Sequence, residues 1–208
     1  MKKYSYIGIA FIILIFGIYA IPKIVNRLKT PKLVTIAKVP EFEFTNQDGK
    51  LISNSFYKEK VWVVEFFFTT CPTICPKMTE SMLKIQNEFY GNPDFGIASF
   101  SINPKNDTPE ILKEYAKTHG ATLKNWNYLT GEQAKIYELA NTGFTLYAGE
   151  NSNAEGGFEH SGMFALVDKK GNIRSRLDEY GNPIAFYDGL DPKGVQQIKE
   201  DIKILLKE

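Results

Sequence analysis

The stretch Val61–Phe68, Val-Trp-Val-Val-Glu-Phe-Phe-Phe, constrains this chain more than any other. Its residues are nearly all apolar, and most are β-branched or aromatic. Such a run is expected as a strand covered on both faces, as in sheets with helices packed on either side. Phe95–Ile102 (FGIASFSI) is a second run of the same kind. Between them, Lys77 to Tyr90 carries Met78, Met82, Leu83, Ile85 and Phe89 close to helical spacing.

The remaining elements follow from local signals. Glu41–Thr45 and Leu51–Ile52, joined through Asp48-Gly49, predict a β-hairpin. Thr108-Pro109-Glu110 supplies a cap and a first-turn proline for a helix that stops at Gly120. Asn127–Leu129 reads as a short strand, and Thr130-Gly131-Glu132-Gln133 as a capping box for a helix to about Ala140. Gly143–Gly157 reads as a polar, glycine-rich loop. Met163–Val167 and Ile173–Leu177 form a hairpin through Lys170-Gly171-Asn172, and Asp191-Pro192 opens a last helix to Leu206. Strands alternating with helices, then a closing hairpin and helix, predict an α/β fold with a central mixed sheet. A thioredoxin-like fold fits that order.

Two further segments precede this domain. Tyr4 to Ile21 is an uninterrupted apolar run behind Lys2 and Lys3, ended by Pro22 and Lys23. About 18 residues make a helix of roughly 27 Å, enough to cross a bilayer core. Residues 1–22 are therefore expected as a membrane anchor, with an uncleaved or cleaved signal as the alternative. Residues 23–40 read as a basic, proline-punctuated linker, and 41–208 as the folded domain. Basic residues flank the apolar run on both sides, so charge does not set its orientation. The whole chain balances 25 Lys+Arg against 24 Asp+Glu, which argues against a nucleic-acid binder.

The chemistry is concentrated in few residues, because the chain has two cysteines and two histidines. Both cysteines lie in Cys71-Pro72-Thr73-Ile74-Cys75-Pro76, between a buried strand and a helix. Loops at the carboxyl ends of such strands are where α/β proteins place their sites. A helix N-terminus beside them favours thiolate, the form that attacks disulfides and binds soft metals. Three residues between the cysteines leave room for a metal and still permit a disulfide. A structural disulfide, or two cysteines that merely pack, is the simpler alternative. His160, in Phe158-Glu159-His160-Ser161-Gly162, is the candidate third donor. His119 stands at a helix end beside Gly120, where an imidazole answers the last carbonyls, and is read as structural. Two thiolates and an imidazole suit copper, and zinc accepts the same set with a water.

At these residues the chain resembles the Sco/SenC family of copper proteins involved in cytochrome c oxidase assembly. The family's C-P-x-x-C-P stands at Cys71–Pro76, behind Phe66-Phe67-Phe68-Thr69-Thr70. Its S-V-D-P and D-T-P-E-x-L-K-x-Y stretches look like Ser101-Ile102-Asn103-Pro104 and Asp107–Tyr115, and its D-H-S looks like Glu159-His160-Ser161. Asn103 and Glu159 stand where the family commonly has aspartate. The resemblance implies a thioredoxin-like fold tethered to a membrane outside the cytoplasm, facing a periplasm or its equivalent. It implies copper, as Cu(I) or Cu(II), held by Cys71, Cys75 and His160.

The expected function is a metallochaperone assisting the copper site of cytochrome c oxidase. Its partners would be the oxidase subunit carrying that site, other copper carriers or thiol reductants, and the membrane. The alternative is a thiol–disulfide oxidoreductase acting on partner cysteines through Cys71 and Cys75 as its catalytic redox pair. A peroxidase is weakly supported, because no convincing Pro-x-x-x-Thr-x-x-Cys pattern precedes Cys71.

Overall fold

The computed structural model describes residues 5–28 and 31–208, with side chains for residues 8–21 and 31–208. Two compact units are present, Met1–Lys32 and Leu33–Glu208. The first contains one helix, α1 (Ser5–Leu28), which continues through Pro22. Over residues 8–21 its large apolar side chains are exposed; Phe11, Ile12, Phe16 and Ile18 are each more than 60% accessible. Among the described residues no helix is long and apolar enough to cross a membrane. Lys2 and Lys3, the basic start of the expected anchor, lie outside the described residues.

The second unit is built on a mixed sheet. Its strands in chain order are β1 (Leu33–Lys38), β2 (Glu43–Asn46), β3 (Leu51–Ser53), β4 (Val61–Phe67), β5 (Phe95–Ser101), β6 (Trp126–Thr130), β7 (Ala148–Glu150), β8 (Phe158–His160), β9 (Met163–Val167), β10 (Asn172–Arg176) and β11 (Tyr187–Asp188). In space the main sheet runs β1-β10-β9-β4-β5-β6-β2-β3, with β11 pairing the first half of β9. Adjacent strands β4, β5 and β6 are parallel, and the other pairs are antiparallel. Strands β7 and β8 form a separate two-stranded sheet. The expected α/β fold with a central mixed sheet is thus present.

The α-helices of this unit are α2 (Cys75–Glu88), α3 (Pro109–His119), α4 (Gln133–Glu138) and α5 (Pro192–Leu205). Every residue of β4 and β5 is buried, as their unbroken apolar runs require. Phe66 stacks on Phe100 of the neighbouring strand at 5.4 Å between ring centres, and Phe42 meets Phe100 edge-on at 5.3 Å. Two helix ends follow their sequence signals. Thr108 Oγ1 accepts the Ile111 N–H at the start of α3, and Gly120 closes that helix with φ 75°. Asp191 likewise caps α5 by accepting the Lys193 N–H.

Four expectations are corrected. Leu33–Lys38, placed in the linker, is a strand on β10. Its mostly exposed pattern and the flanking lysines and prolines conceal an edge strand. Helix α2 begins at Cys75, not Lys77, which makes Cys75 itself a helix residue. The capping box at Thr130 does not form. Thr130 ends β6, pairing with Thr45, and Glu132 caps α4 without a side-chain bond. Finally, the Gly143–Gly157 segment is not all loop, since Ala148–Glu150 pairs with Phe158–His160.

A buried polar lock ties the last helix to the sheet. Arg176 Nε and Nη2 donate to Asp201 Oδ2 and Oδ1, each at 2.9 Å, and Tyr187 Oη donates to Asp201 Oδ2 at 2.7 Å. Asp201 is completely buried.

Candidate metal centre

Strand β4 delivers the first part of the site. Beyond it the chain turns, and the Cys71 N–H closes on the Phe68 carbonyl at 3.3 Å. The loop then enters α2 at Cys75, with Pro76 in the first turn, where a missing N–H leaves nothing unsatisfied. Ile74, the residue before the helix, has no side chain able to accept a bond from the first amides. Both sulfurs therefore sit at an uncapped positive helix end. The two cysteines are free thiols and both are buried.

The third group arrives from the separate small sheet. Pairing of Ala148 with His160 fixes the end of β8 above the cysteine loop. His160 Nε2 lies 3.2 Å from Cys75 Sγ, across 85 residues of sequence. His160 Nδ1 lies 3.1 Å from the Ser161 carbonyl. A carbonyl can only accept, so Nδ1 carries the proton and the Nε2 lone pair faces the sulfur. Anchoring one imidazole nitrogen on a backbone carbonyl is the usual way a metal-binding histidine is oriented. The Phe68 ring packs edge-on against this imidazole, 5.8 Å between centres, and also contacts Phe158.

Cys71 Sγ, Cys75 Sγ and a His160 ring nitrogen all lie within 4.8 Å of one another. Two thiol sulfurs and one imidazole are a soft donor set, fitted to copper or zinc. They adjoin a cleft of about 280 Å³ whose lining includes Ile74, Glu155 and Phe158. Sequence reasoning thus named three groups that the structure brings together. His119 is elsewhere, with Nδ1 2.9 Å from the Tyr115 carbonyl and its ring stacked on Tyr115, as its structural reading required.

The electrostatics divide the two cysteines. The neighbouring Cys75 thiol holds Cys71 far below its ordinary range, with Thr73 and the Cys75 backbone N–H adding to this. The neighbouring Cys71 sulfur keeps the proton on Cys75, and burial adds to that effect. The two sulfurs are therefore a coupled pair that titrates as a unit, with Cys71 the more acidic member. Glu65, on β4, is also buried, and burial pushes its carboxyl up to about 7 against the opposing hydrogen bond from Ser99.

Two participants escaped sequence reasoning, and a third, Glu159, was seen only as a motif position. Thr73 Oγ1 lies 3.5 Å from Cys71 Sγ, and only its position two residues beyond the cysteine could have signalled it. Phe68 was read as core, yet it also walls the site. Glu159 accepts a bond from Asn151 Nδ2 at 2.9 Å, so its carboxylate braces the β7–β8 hairpin.

Comparison with known proteins gives a consistent result. The family model described as SCO1/SenC matches residues 32–191. The SCO1 protein homolog of Bacillus subtilis (strain 168) is 34% identical over 168 residues, covering 80% of this chain and 81% of that protein. A solved structure of BsSco, described as a member of the Sco family of cytochrome c oxidase assembly proteins with a disulfide switch, is 32% identical. It has a TM-score of 0.69 and covers 87% of this chain and 98% of that one. Bradyrhizobium japonicum ScoI, solved with copper bound, shares the fold at a TM-score of 0.62 and 21% identity, over 82% of this chain and 100% of that one. With a match spanning most of the folded unit and relatives above 30% identity, this chain belongs to the SCO1/SenC family.

Proposed function

We propose that this protein is a copper carrier that binds the metal through Cys71, Cys75 and His160. It delivers that metal as cargo to a copper site of cytochrome c oxidase. The observation that carries the reading is the meeting of two thiol sulfurs and an oriented imidazole within 4.8 Å. Family membership supports copper over zinc, since ScoI is solved with copper and BsSco is described as an oxidase assembly protein. Cys71 and Cys75 supply soft anionic donors, and His160 supplies a neutral one through Nε2. Copper loading requires both cysteines reduced. The test is to purify the full chain in detergent under reducing conditions, load it with Cu(I) and measure metal content. About one copper per chain is expected; retention of none overturns the copper reading.

A second reading rests on the unequal thiols. A thiolate at Cys71 beside a protonated Cys75 suits thiol–disulfide exchange with a partner's cysteines, which metal-free protein would perform. The disulfide switch described for BsSco supports it.

We also propose that residues 1–22 tether the domain to a membrane with Leu33–Glu208 outside the cytoplasm, in the periplasm or its equivalent. Support comes from the apolar run and from a helix that exposes apolar side chains on all sides, a pattern stable in lipid. The full chain is expected to stay with membranes through alkaline carbonate washing and to leave only in detergent. Release by carbonate, or a mature mass lacking the first residues, would overturn the tether.

A further inference from the structure

Asp107 is completely buried, and all of its hydrogen-bonding capacity is used. Its Oδ2 accepts the Thr69 N–H at 3.1 Å and the Ser101 hydroxyl at 2.5 Å. Its Oδ1 accepts the Thr69 hydroxyl at 2.5 Å and the Asn106 amide at 2.8 Å. An ionised carboxylate has about four acceptor sites, and here four donors occupy them. Two of those donors belong to Thr69, the second residue of the turn that the Cys71 N–H closes on Phe68.

The surroundings hold Asp107 as firmly as it holds Thr69. Strands β4 and β5 are parallel and end side by side, with Phe67 opposite Ser101 and the Ile102 N–H on the Phe67 carbonyl. Asn103 donates its N–H to Ser101 Oγ and accepts the Asp107 N–H on its carbonyl. The next residue, Thr108, caps α3. One carboxylate thus connects the end of β5, the start of α3 and the turn leading to Cys71. Asn103 takes part in this assembly through its backbone, so an amide in place of the family's aspartate leaves it intact.

We propose that Asp107 is a positioning residue of the metal centre. It fixes the turn two residues before Cys71 and so sets that sulfur against Cys75 and His160. The inference rests on the copper reading of the site. Asparagine at 107 keeps the shape but offers one acceptor oxygen, and it turns amide hydrogens toward donors. Residues that orient metal ligands typically change affinity about 10–100-fold when replaced.

The test uses the full chain in detergent, with the variants Asp107→Asn, Thr69→Val and, as a distant buried control, Asp201→Asn. Two quantities are read on protein shown by circular dichroism to be folded. They are Cu(I) affinity by competition with a chelator, and the alkylation rate of Cys71 in metal-free protein. Asp107→Asn is expected to weaken copper at least tenfold and to change the alkylation rate severalfold. Thr69→Val should move both in the same direction by less, and Asp201→Asn should move neither. Wild-type values for both quantities in folded Asp107→Asn, or equal changes in Asp201→Asn, would overturn the proposal. If Asp107→Asn does not fold, an unchanged Thr69→Val overturns it and a changed one supports it. Wild-type protein that retains no copper would sink the copper reading, while the alkylation arm still judges Asp107.

Discussion

Serine at position 75 is expected to abolish stoichiometric copper binding while leaving the domain folded. The substitution replaces sulfur by oxygen in a nearly isosteric side chain. The hydroxyl takes the place of a sulfur that lies 3.2 Å from His160 Nε2, beside a polar neighbour, so the local packing survives. What is lost is a soft anionic donor, because a serine hydroxyl does not ionise near neutral pH as a metal-bound thiol does. Removing a direct ligand should exceed the ~100-fold seen when only a supporting partner is removed. Copper content after Cu(I) loading and gel filtration measures it directly. His160→Ala, read in the same way, should weaken binding by less, since both sulfurs remain. A Cys75→Ser protein that still carries one copper per chain would show that the metal sits elsewhere.

The second large effect concerns stability. Asp201→Ala should destabilise the domain by about 3–5 kcal/mol, because it strands the Arg176 guanidinium in the interior. Arg176 is 8% exposed and its bidentate partner is 0% exposed, so water cannot replace the lost carboxylate. Glu200, 3.0 Å from Arg176 Nη2 but half exposed, offers only weak compensation. The Tyr187 hydroxyl loses its acceptor at the same time. For a domain of this size, each kcal/mol corresponds to about 2–4 °C, so the midpoint of thermal unfolding should fall by about 6–20 °C. A fall of under 2 °C would mean that the pair contributes little beyond its own desolvation.

The elements read correctly in the sequence share a property: their local signal and their final environment agree. Val61–Phe67 and Phe95–Ser101 are apolar throughout and buried throughout. Thr108 and Gly120 mark the ends of α3 by chemistry that acts within one turn. The errors arise where a distant partner decides. Leu33–Lys38 is a strand because Asn172–Arg176 pairs with it, more than 130 residues away in sequence. Thr130 could have capped a helix, but its pairing with Thr45 draws it into the sheet. Ala148–Glu150 lies in a stretch of glycine and polar residues, so its pairing with Phe158–His160 leaves little periodic trace.

The site divides in the same way. The cysteine pair was legible because strand, loop and helix are contiguous in sequence. His160 was legible as the histidine without a helix end to cap and from the resemblance of Glu159-His160-Ser161 to D-H-S, but its tautomer follows from the Ser161 carbonyl, which no sequence pattern announces. Asp107 was visible as part of a motif, but its four donors come from three separate segments.

The small β7–β8 sheet has a consequence for how loaded and empty protein would differ. Two of the three donors stand on the main framework and the third on a hairpin braced by bonds such as Asn151 to Glu159. An ion shared among them is a stitch between two separately built pieces, closing a chain loop of 85 residues. Ligand binding stabilises whichever arrangement it requires. Loading would therefore add to the hold that the His160–Cys75 contact and the Asn151–Glu159 bond already keep on the hairpin. A partner that touches Glu155 or Phe158 at the rim would then meet a firmer surface on the loaded protein than on the empty one.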